Sequence, residues 1–158
     1  VYQDLVRINR ACRDGSLGRM PEVRALLDHA KAPGRALHLM GLFSDGGVHS
    51  SLEHLFAFMK LAKAEGLSRV YVHAFMDGRD TDPKSGIGFV RRFASLLAEG
   101  AAAGTLASMI GRYYAMDRDK RWERIREAYD MLTAGRGEKT ADFGASLLPT
   151  KRASRSNS

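Results

Sequence analysis

The chain has 158 residues, of which 44% are hydrophobic and 27% charged, and its mean hydropathy is -0.29. This composition is typical of a soluble globular domain with one core, and no apolar run approaches the roughly 20 residues of a membrane helix. One cysteine, Cys12, rules out an intrachain disulfide and favours the reducing cytoplasm. No secretory signal is visible in the sequence from Val1 onward. A net charge of +7 indicates an anionic partner without identifying it.

The basic excess does not follow the pattern of a nucleic-acid-binding surface. Part of it lies near the C-terminus, where Lys151, Arg152 and Arg155 occur without a neighbouring acid. Several other arginines fall in loops between periodic segments, not along one stripe with interleaved aromatic residues. We therefore favour a small anion held by a few guanidinium groups, with nucleic-acid binding as a minor alternative and with no membrane partner.

Two helices are expected before the first strand. Val1, Leu5, Ile8 and Cys12 form one apolar stripe at helical spacing, which makes Cys12 a helix-face residue and not a nucleophile. Pro21 can open a second helix at its first position. The apolar face of that helix is formed by Val23, Leu26, Leu27 and Ala30.

A pattern of apolar strand, polar loop and helix then occurs three times. The expected strands are residues 36–43, 69–75 and 105–110, followed by helices near 50–65, 86–97 and 122–132. Ser50 and Glu53 have capping-box spacing at the start of the first of these helices, and Gly66 can end it. The repeated unit predicts an α/β fold, a three-layer-type parallel sheet with right-handed βα crossovers and N-terminal helices.

Periodicity also predicts which helix faces are buried. The expected inward residues are Leu52, Leu55, Phe56 and Met59 in the first helix, Phe89, Phe93 and Leu96 in the second, and Trp122, Ile125, Tyr129 and Leu132 in the third. Tyr113, Tyr114 and Trp122 are interpreted as packing residues, and His73, inside a strand, as a core residue.

The carboxyl ends of parallel strands meet at one edge of the sheet, which is where open α/β sheets bind ligands. The polar loops at that edge contain His49, Arg79, Asp80, Arg112 and Arg118. Three arginines beside a histidine and a carboxylate suit a small substrate that carries both phosphate and carboxylate groups, because each anionic group can accept two hydrogen bonds from one guanidinium. The alternative for the Arg79–Asp80 pair alone is a solvated surface turn.

Three segments also carry a resemblance to a known family. They are GLFSDGGVHSSLEHLFAFMKLAKAEG, VYVHAFMDGRDTDPKSG and GRYYAMDRDKRWERI, which begin at residues 41, 70 and 111. In this order and spacing they resemble the cofactor-independent (2,3-bisphosphoglycerate-independent) phosphoglycerate mutases, from Val1 to about Leu132. Members of that family are isomerases that interconvert 3- and 2-phosphoglycerate in glycolysis and gluconeogenesis.

The resemblance implies that the five residues of the sheet edge bind the substrate, and that Asp80 also handles protons on the glycerate hydroxyls. Ser51 stands where many relatives have a second histidine, so a substrate contact from that position is not expected. The resemblance further implies two metal ions, usually manganese, and a phosphorylated serine in a phosphatase-like domain whose ligands lie outside this chain. No metal ligand is expected within it, and we expect the isolated chain to lack mutase activity.

The same resemblance suggests how the chain is organised. Residues 1–148 are expected to form a substrate-binding (phosphotransferase) domain that is incomplete at its C-terminal end, and residues 149–158 a disordered tail, because the sequence departs from the family pattern after about Lys139. Its expected partners are phosphoglycerate and the missing phosphatase-like domain. The alternative is a stand-alone, non-catalytic module that binds phosphorylated carboxylates.

Overall fold

The fold is built on a sheet of three parallel strands in the order β1–β2–β3. The computed structural model describes residues 4–146, so the expected tail and Val1 lie outside the described residues. The strands are β1 (Leu37–Phe43), β2 (Val70–Met76) and β3 (Thr105–Gly111). The predicted α/β fold with a parallel sheet is confirmed.

The helices precede and follow these strands in the predicted order. They are α1 (Asp4–Arg13), α2 (Pro21–Lys31), α3 (Leu52–Ala64), α4 (Gly86–Ala98), α5 (Arg112–Ala115), α6 (Trp122–Ala134) and α7 (Phe143–Ser146), with a 3-10 turn at Ser16–Arg19. The single-turn helices α5 and α7 have no periodic pattern in the sequence. Within residues 4–146, none of these helices has both the length and the apolar character needed to cross a bilayer.

One face of the sheet is buried beneath α2, α3 and α4. Alternate residues of β2 point to this face, among them Val72 and Ala74, which are 2% and 0% exposed. Met59 of α3 and Phe93 of α4 pack on them, and Leu27 of α2 covers the beginning of the strands. Strands that are adjacent in chain order, with α3 and α4 on one side of the sheet, indicate two crossovers of the same hand. Because the strands are parallel, every strand-to-helix loop lies at the same edge.

The opposite face of the sheet is partly exposed in the described residues. Met40 is 60% exposed, and His73 lies on this face, where it is half-buried and not in the core as predicted. Its ring nitrogens lie 2.9 Å from His38 Nδ1 and 2.8 Å from Ser108 Oγ. Burial and the neighbouring His38 ring lower the pKa of His73. The three polar side chains form one hydrogen-bonded row across the sheet, which gives His73 a structural role.

The predicted buried faces are wrong at four positions. Trp122 and Tyr129 of α6 are 72% and 63% exposed, and Ile8 of α1 and Leu26 of α2 are 42% and 43% exposed. In α6 the buried residue is Ala128. The stripes do have helical spacing, but the described residues leave these four side chains at least two-fifths exposed.

The start of α3 also differs from the prediction. Ser51, not Ser50, is the N-cap residue, and its hydroxyl accepts a hydrogen bond from the Glu53 amide at 3.3 Å. The Ser50 hydroxyl instead donates to the carbonyl of Leu42 at 2.6 Å. Ser50 therefore ties the first loop back to β1. At the other end, Gly66 terminates α3 as predicted, with a φ of 77° that favours glycine.

We expect Met59→Ala to destabilise the fold much more than Met40→Ala, since Met59 is 0% exposed and Met40 is 60% exposed. Truncating a buried methionine removes apolar burial and leaves a cavity, which costs about 2–5 kcal/mol. The exposed residue should cost less than about 1 kcal/mol. Urea unfolding followed by circular dichroism measures both free energies. Equal losses would contradict the packing of the buried face.

Candidate functional site

The three strand-to-helix loops enclose one cavity of about 670 Å³ at the carboxyl edge of the sheet. The residues predicted from the sequence to form a site all line this cavity: His49, Arg79, Asp80, Arg112 and Arg118. They come from three loops far apart in sequence, and parallel strands about 4.8 Å apart bring those loops side by side. The structure therefore places the five residues in one site.

A buried carboxylate, that of Asp77, lies at the centre of the loops. Asp77 follows directly after β2, and its side chain is 0% exposed. At 2.7 to 3.1 Å, it accepts hydrogen bonds from the amides of Gly78, Arg79 and Asp80, the hydroxyl of Ser44 and the guanidinium of Arg112. Burial alone would raise the pKa of Asp77. The hydrogen bonds outweigh burial and hold that pKa well below its usual range.

The first loop is held against the second by two small residues. Ser44, which is 1% exposed, donates to Asp77 Oδ2 at 2.7 Å and accepts from the amide of Gly46 at 3.1 Å. A Cβ atom on Gly46 would lie only 3.2 Å from the carbonyl oxygen of Asp80 and 3.1 Å from a methyl carbon of Thr81. Glycine at this position therefore allows the two loops to pack closely.

Arg112, the first residue after β3, joins the third loop to the second. Its Nη1 donates to Asp77 Oδ1 at 2.9 Å and to Asp80 Oδ2 at 2.8 Å. The hydrogen bonds that the guanidinium donates to Asp80 and Asp77 raise the pKa of Arg112, so it stays charged at any physiological pH. The side chains of Arg112 and Asp80 are 15% and 14% exposed, which leaves each in contact with the cavity.

A second buried carboxylate, Asp117, shapes the far side of the cavity. Its side chain is 2% exposed and accepts from the amides of Asp119 and Arg121 and from Arg124 Nη1 at 3.1 Å. Backbone hydrogen bonds, that from Arg121 foremost, lower the pKa of Asp117. The Arg124 guanidinium also lies 3.8 Å above the ring of Tyr113, in a cation–π contact. Tyr113, predicted to be a packing residue, is 56% exposed and supports Arg124 instead.

The charged residues of the cavity fall into two groups. The cavity is lined by four arginines and four aspartates: Arg79, Arg112, Arg118, Arg124, Asp77, Asp80, Asp117 and Asp119. Arg112 and Arg124 are each bonded to a buried carboxylate. Arg79 and Arg118 are exposed and form no ion pair with another described residue. These two arginines, with the exposed His49, are therefore the groups best placed to meet an anion from solution.

Four residues that shape the cavity were not identified from the sequence: Ser44, Asp77, Asp117 and Arg124. Asp77 and Asp117 each cap the turn that follows them, and an aspartate at the end of an apolar strand before glycine is a signal for such a turn. The bond from Ser44 to Asp77 joins distant segments, and the contacts of Arg124 with Asp117 and Tyr113, although closer in sequence, follow no motif. These four residues hold the loops in place.

The fold and the cavity define a class of protein, namely a parallel α/β domain with an arginine-rich site at the carboxyl edge of its sheet. The family model described as "BPG-independent PGAM N-terminus (iPGM_N)" matches residues 8–157. The chain therefore belongs to the family of the N-terminal region of 2,3-bisphosphoglycerate-independent phosphoglycerate mutases.

Known proteins resemble the chain in both sequence and structure. It is 56% identical over 143 residues to the 2,3-bisphosphoglycerate-independent phosphoglycerate mutase of Bacteroides fragilis, covering 90% of this chain and 28% of that enzyme. It is 46% identical over 157 residues to the enzyme of the same name from Vibrio cholerae, covering 99% of this chain and 31% of that enzyme. A crystal structure of Leishmania mexicana phosphoglycerate mutase at low cobalt concentration matches with a TM-score of 0.84 and 28% identity, over 92% of this chain and 27% of that one.

We expect Asp77→Asn to destabilise the fold by an amount that depends on pH. Because the pKa of Asp77 is lower in the folded chain than the roughly 3.9 of an unfolded aspartate, its stabilising effect is complete above that value and lost as the pH falls below it. The variant should lose about 1–3 kcal/mol at neutral pH, and the difference from the wild type should shrink below about pH 4.

Urea unfolding at several values between about pH 7 and pH 3 measures this difference. Asp4→Asn, at a side chain that is 91% exposed, serves as the control and should change the free energy of unfolding by less than about 0.5 kcal/mol. A difference for Asp77→Asn that stays constant down to the lowest pH would contradict the assigned charge state.

Proposed function

We propose that this domain binds phosphoglycerate as the substrate-binding part of a 2,3-bisphosphoglycerate-independent phosphoglycerate mutase, working in the cytoplasm. The observation that carries the proposal is the convergence of His49, Arg79, Asp80, Arg112 and Arg118 on one cavity, in a chain of this family. The chain spans about 28% of the length of its Bacteroides fragilis relative, so mutase activity is a property of the longer polypeptide that we extend to this chain by proposal.

The charges of the cavity fit a ligand with two separated anionic groups. Arg79 lies on the second loop and Arg118 on the third, and both are exposed without an ion-pair partner among residues 4–146. A phosphoglycerate carries a phosphate at one end and a carboxylate at the other. Two guanidinium groups on separate loops can each bind one of these ends, and Arg112 supplies a third cation between the loops.

Asp80 is the residue proposed to handle protons. Moving a phosphoryl group between two neighbouring hydroxyls requires that one hydroxyl lose a proton and the other gain one. Asp80 lines the cavity and its carboxylate is partly exposed there, so it can accept a proton from a bound glycerate hydroxyl and return it. Its contact with Arg112 at 2.8 Å holds it in the same place through both steps.

The phosphoryl acceptor and the metal ions belong elsewhere in this proposal. Among residues 4–146, no group of three or more His, Cys, Asp or Glu side chains lies close enough to hold a metal ion. The described residues therefore do not fit the two manganese ions that the family resemblance implies, and we assign no chemical step to a metal here. The alternative function, a phosphorylated-carboxylate-binding module without turnover, predicts the same binding and differs only in catalysis.

We expect 3-phosphoglycerate to bind the chain weakly, with a Kd on the order of 1 mM. Arg118→Ala and Arg112→Ala should each raise that Kd at least about tenfold, because a lost charge-assisted hydrogen bond costs roughly 1.5–3 kcal/mol. Calorimetry with the wild type and both variants measures the effect.

Arg69→Ala is the matched control for charge. Arg69 is an exposed arginine just before β2, at the edge of the sheet opposite the cavity, so its loss removes the same charge without touching the site. The Kd of 3-phosphoglycerate for the Arg69→Ala variant should stay within about twofold of the wild-type value, because salt screens distant surface charges. Equal weakening by Arg69→Ala and Arg118→Ala would show general charge attraction and not a site.

A further inference from the structure

We propose that Asp77 is a positioning residue that fixes Arg112 and the loop of residues 78–80 for the ligand, and that Ser44 holds Asp77 in the required orientation. This inference rests on the proposed function, since the ligand in question is phosphoglycerate. The Asp77 side chain is 0% exposed, so it acts through the groups that it binds.

The geometry shows that one carboxylate controls the second loop. Asp77 Oδ1 accepts the backbone amides of Gly78, Arg79 and Asp80 at 2.8, 3.0 and 3.1 Å. Three consecutive amides on one oxygen fix the course of the backbone at the two residues, Arg79 and Asp80, whose side chains enter the cavity. Without this acceptor the three loop amides would have to donate their hydrogen bonds to water.

The same oxygen determines which side of Arg112 faces the ligand. Both carboxylate contacts of the guanidinium, those to Asp77 and Asp80, use Nη1. A guanidinium has five N–H donors, and those on Nη2 and Nε have no hydrogen-bond partner among the described residues. The planar group is thus held by one nitrogen while its other donors stay available at the cavity.

Ser44 prevents the carboxylate from rotating. Its hydroxyl donates to Asp77 Oδ2 at 2.7 Å, opposite the oxygen that binds the loop amides, and it accepts from the Gly46 amide at 3.1 Å. Ser44 is 1% exposed at the end of β1. One hydrogen-bonded chain therefore runs from the first loop through the second to Arg112 in the third.

Positioning and simple charge predict opposite results for Asp77→Asn. The substitution keeps the shape of the side chain, and the amide oxygen can still accept the loop N–H groups, but it removes one negative charge beside an anion site. By charge alone, phosphoglycerate should bind more tightly. If Asp77 positions Arg112, binding should weaken instead, because a neutral amide oxygen holds the guanidinium less firmly than a carboxylate does. The amide nitrogen that replaces Oδ2 also cannot accept the hydrogen bond from Ser44.

The experiment uses the 158-residue chain with Asp77→Asn, Ser44→Ala and, as a control, Glu65→Gln. Glu65 is also bonded to two cations, Arg24 and Lys31, but it lies at the end of α3, away from the cavity. The Kd of 3-phosphoglycerate is measured by calorimetry. The order of the Arg112 Nε–H group is measured without ligand by ¹⁵N relaxation and hydrogen exchange.

We expect Asp77→Asn to raise the Kd about tenfold and Ser44→Ala to raise it by a smaller factor, with Glu65→Gln within about twofold of the wild type. In both site variants the Arg112 Nε–H should become more mobile and exchange faster. A variant that only lowers the free energy of unfolding would leave the mobility and exchange of the Arg112 Nε–H group unchanged in the folded chain.

Unchanged or tighter binding by folded Asp77→Asn would overturn the positioning role. If the wild type does not bind 3-phosphoglycerate, the proposed function fails. The positioning role of Asp77 is then decided by the Arg112 Nε–H signal, and a group as ordered in the variants as in the wild type would overturn that role. Should Asp77→Asn fail to fold, Ser44→Ala gives the same test, since it removes the contact that orients the carboxylate, together with the contact to the Gly46 amide, and keeps the charge of Asp77.

Discussion

The site depends on one buried carboxylate shared by three loops. Asp77 takes its place at the end of the central strand, and from there it binds the amides of its own loop, Ser44 of the first loop and Arg112 of the third. A buried carboxylate is stable only when its charge is matched and its oxygens are hydrogen-bonded, and here both conditions are met by groups that form the cavity. The stability of the loops and the shape of the site are therefore properties of the same interaction.

The same pairing determines which charges face solvent in a cavity with equal numbers of arginines and aspartates. The buried aspartates Asp77 and Asp117 are matched to Arg112 and Arg124, so these charges largely offset one another within the protein. The exposed charged groups of the cavity are then Arg79, Arg118 and Asp119, and both arginines lack an ion-pair partner among residues 4–146. A small substrate with two anionic ends fits such a site better than a long polyanion, which would need a continuous basic surface.

The order of strands and helices could be predicted because apolar runs, turn residues and caps are local features, and parallel topology then placed the five candidate residues together. Burial was harder to predict: Trp122 and Tyr129 follow helical spacing, yet the described residues do not cover them. The cap at Ser51 was missed because Ser50 bonds back to β1 instead. Asp77 before glycine indicates a turn, but its bonds to Ser44 and Arg112 join distant segments and leave no local pattern. Arg124 contacts Asp117 within its own segment, without a motif that would identify it.

The central claim, that phosphoglycerate binds at the carboxyl edge of the sheet, is tested most directly by NMR of the ¹⁵N-labelled chain titrated with 3-phosphoglycerate. Chemical-shift changes are expected at the amides of residues 49, 76–80, 111–113 and 116–119, which line the cavity. Residues 32–36 and 66–69, at the opposite edge of the sheet, should not respond. Shift changes at that opposite edge or on the exposed face around Met40, with none around the cavity, would contradict it.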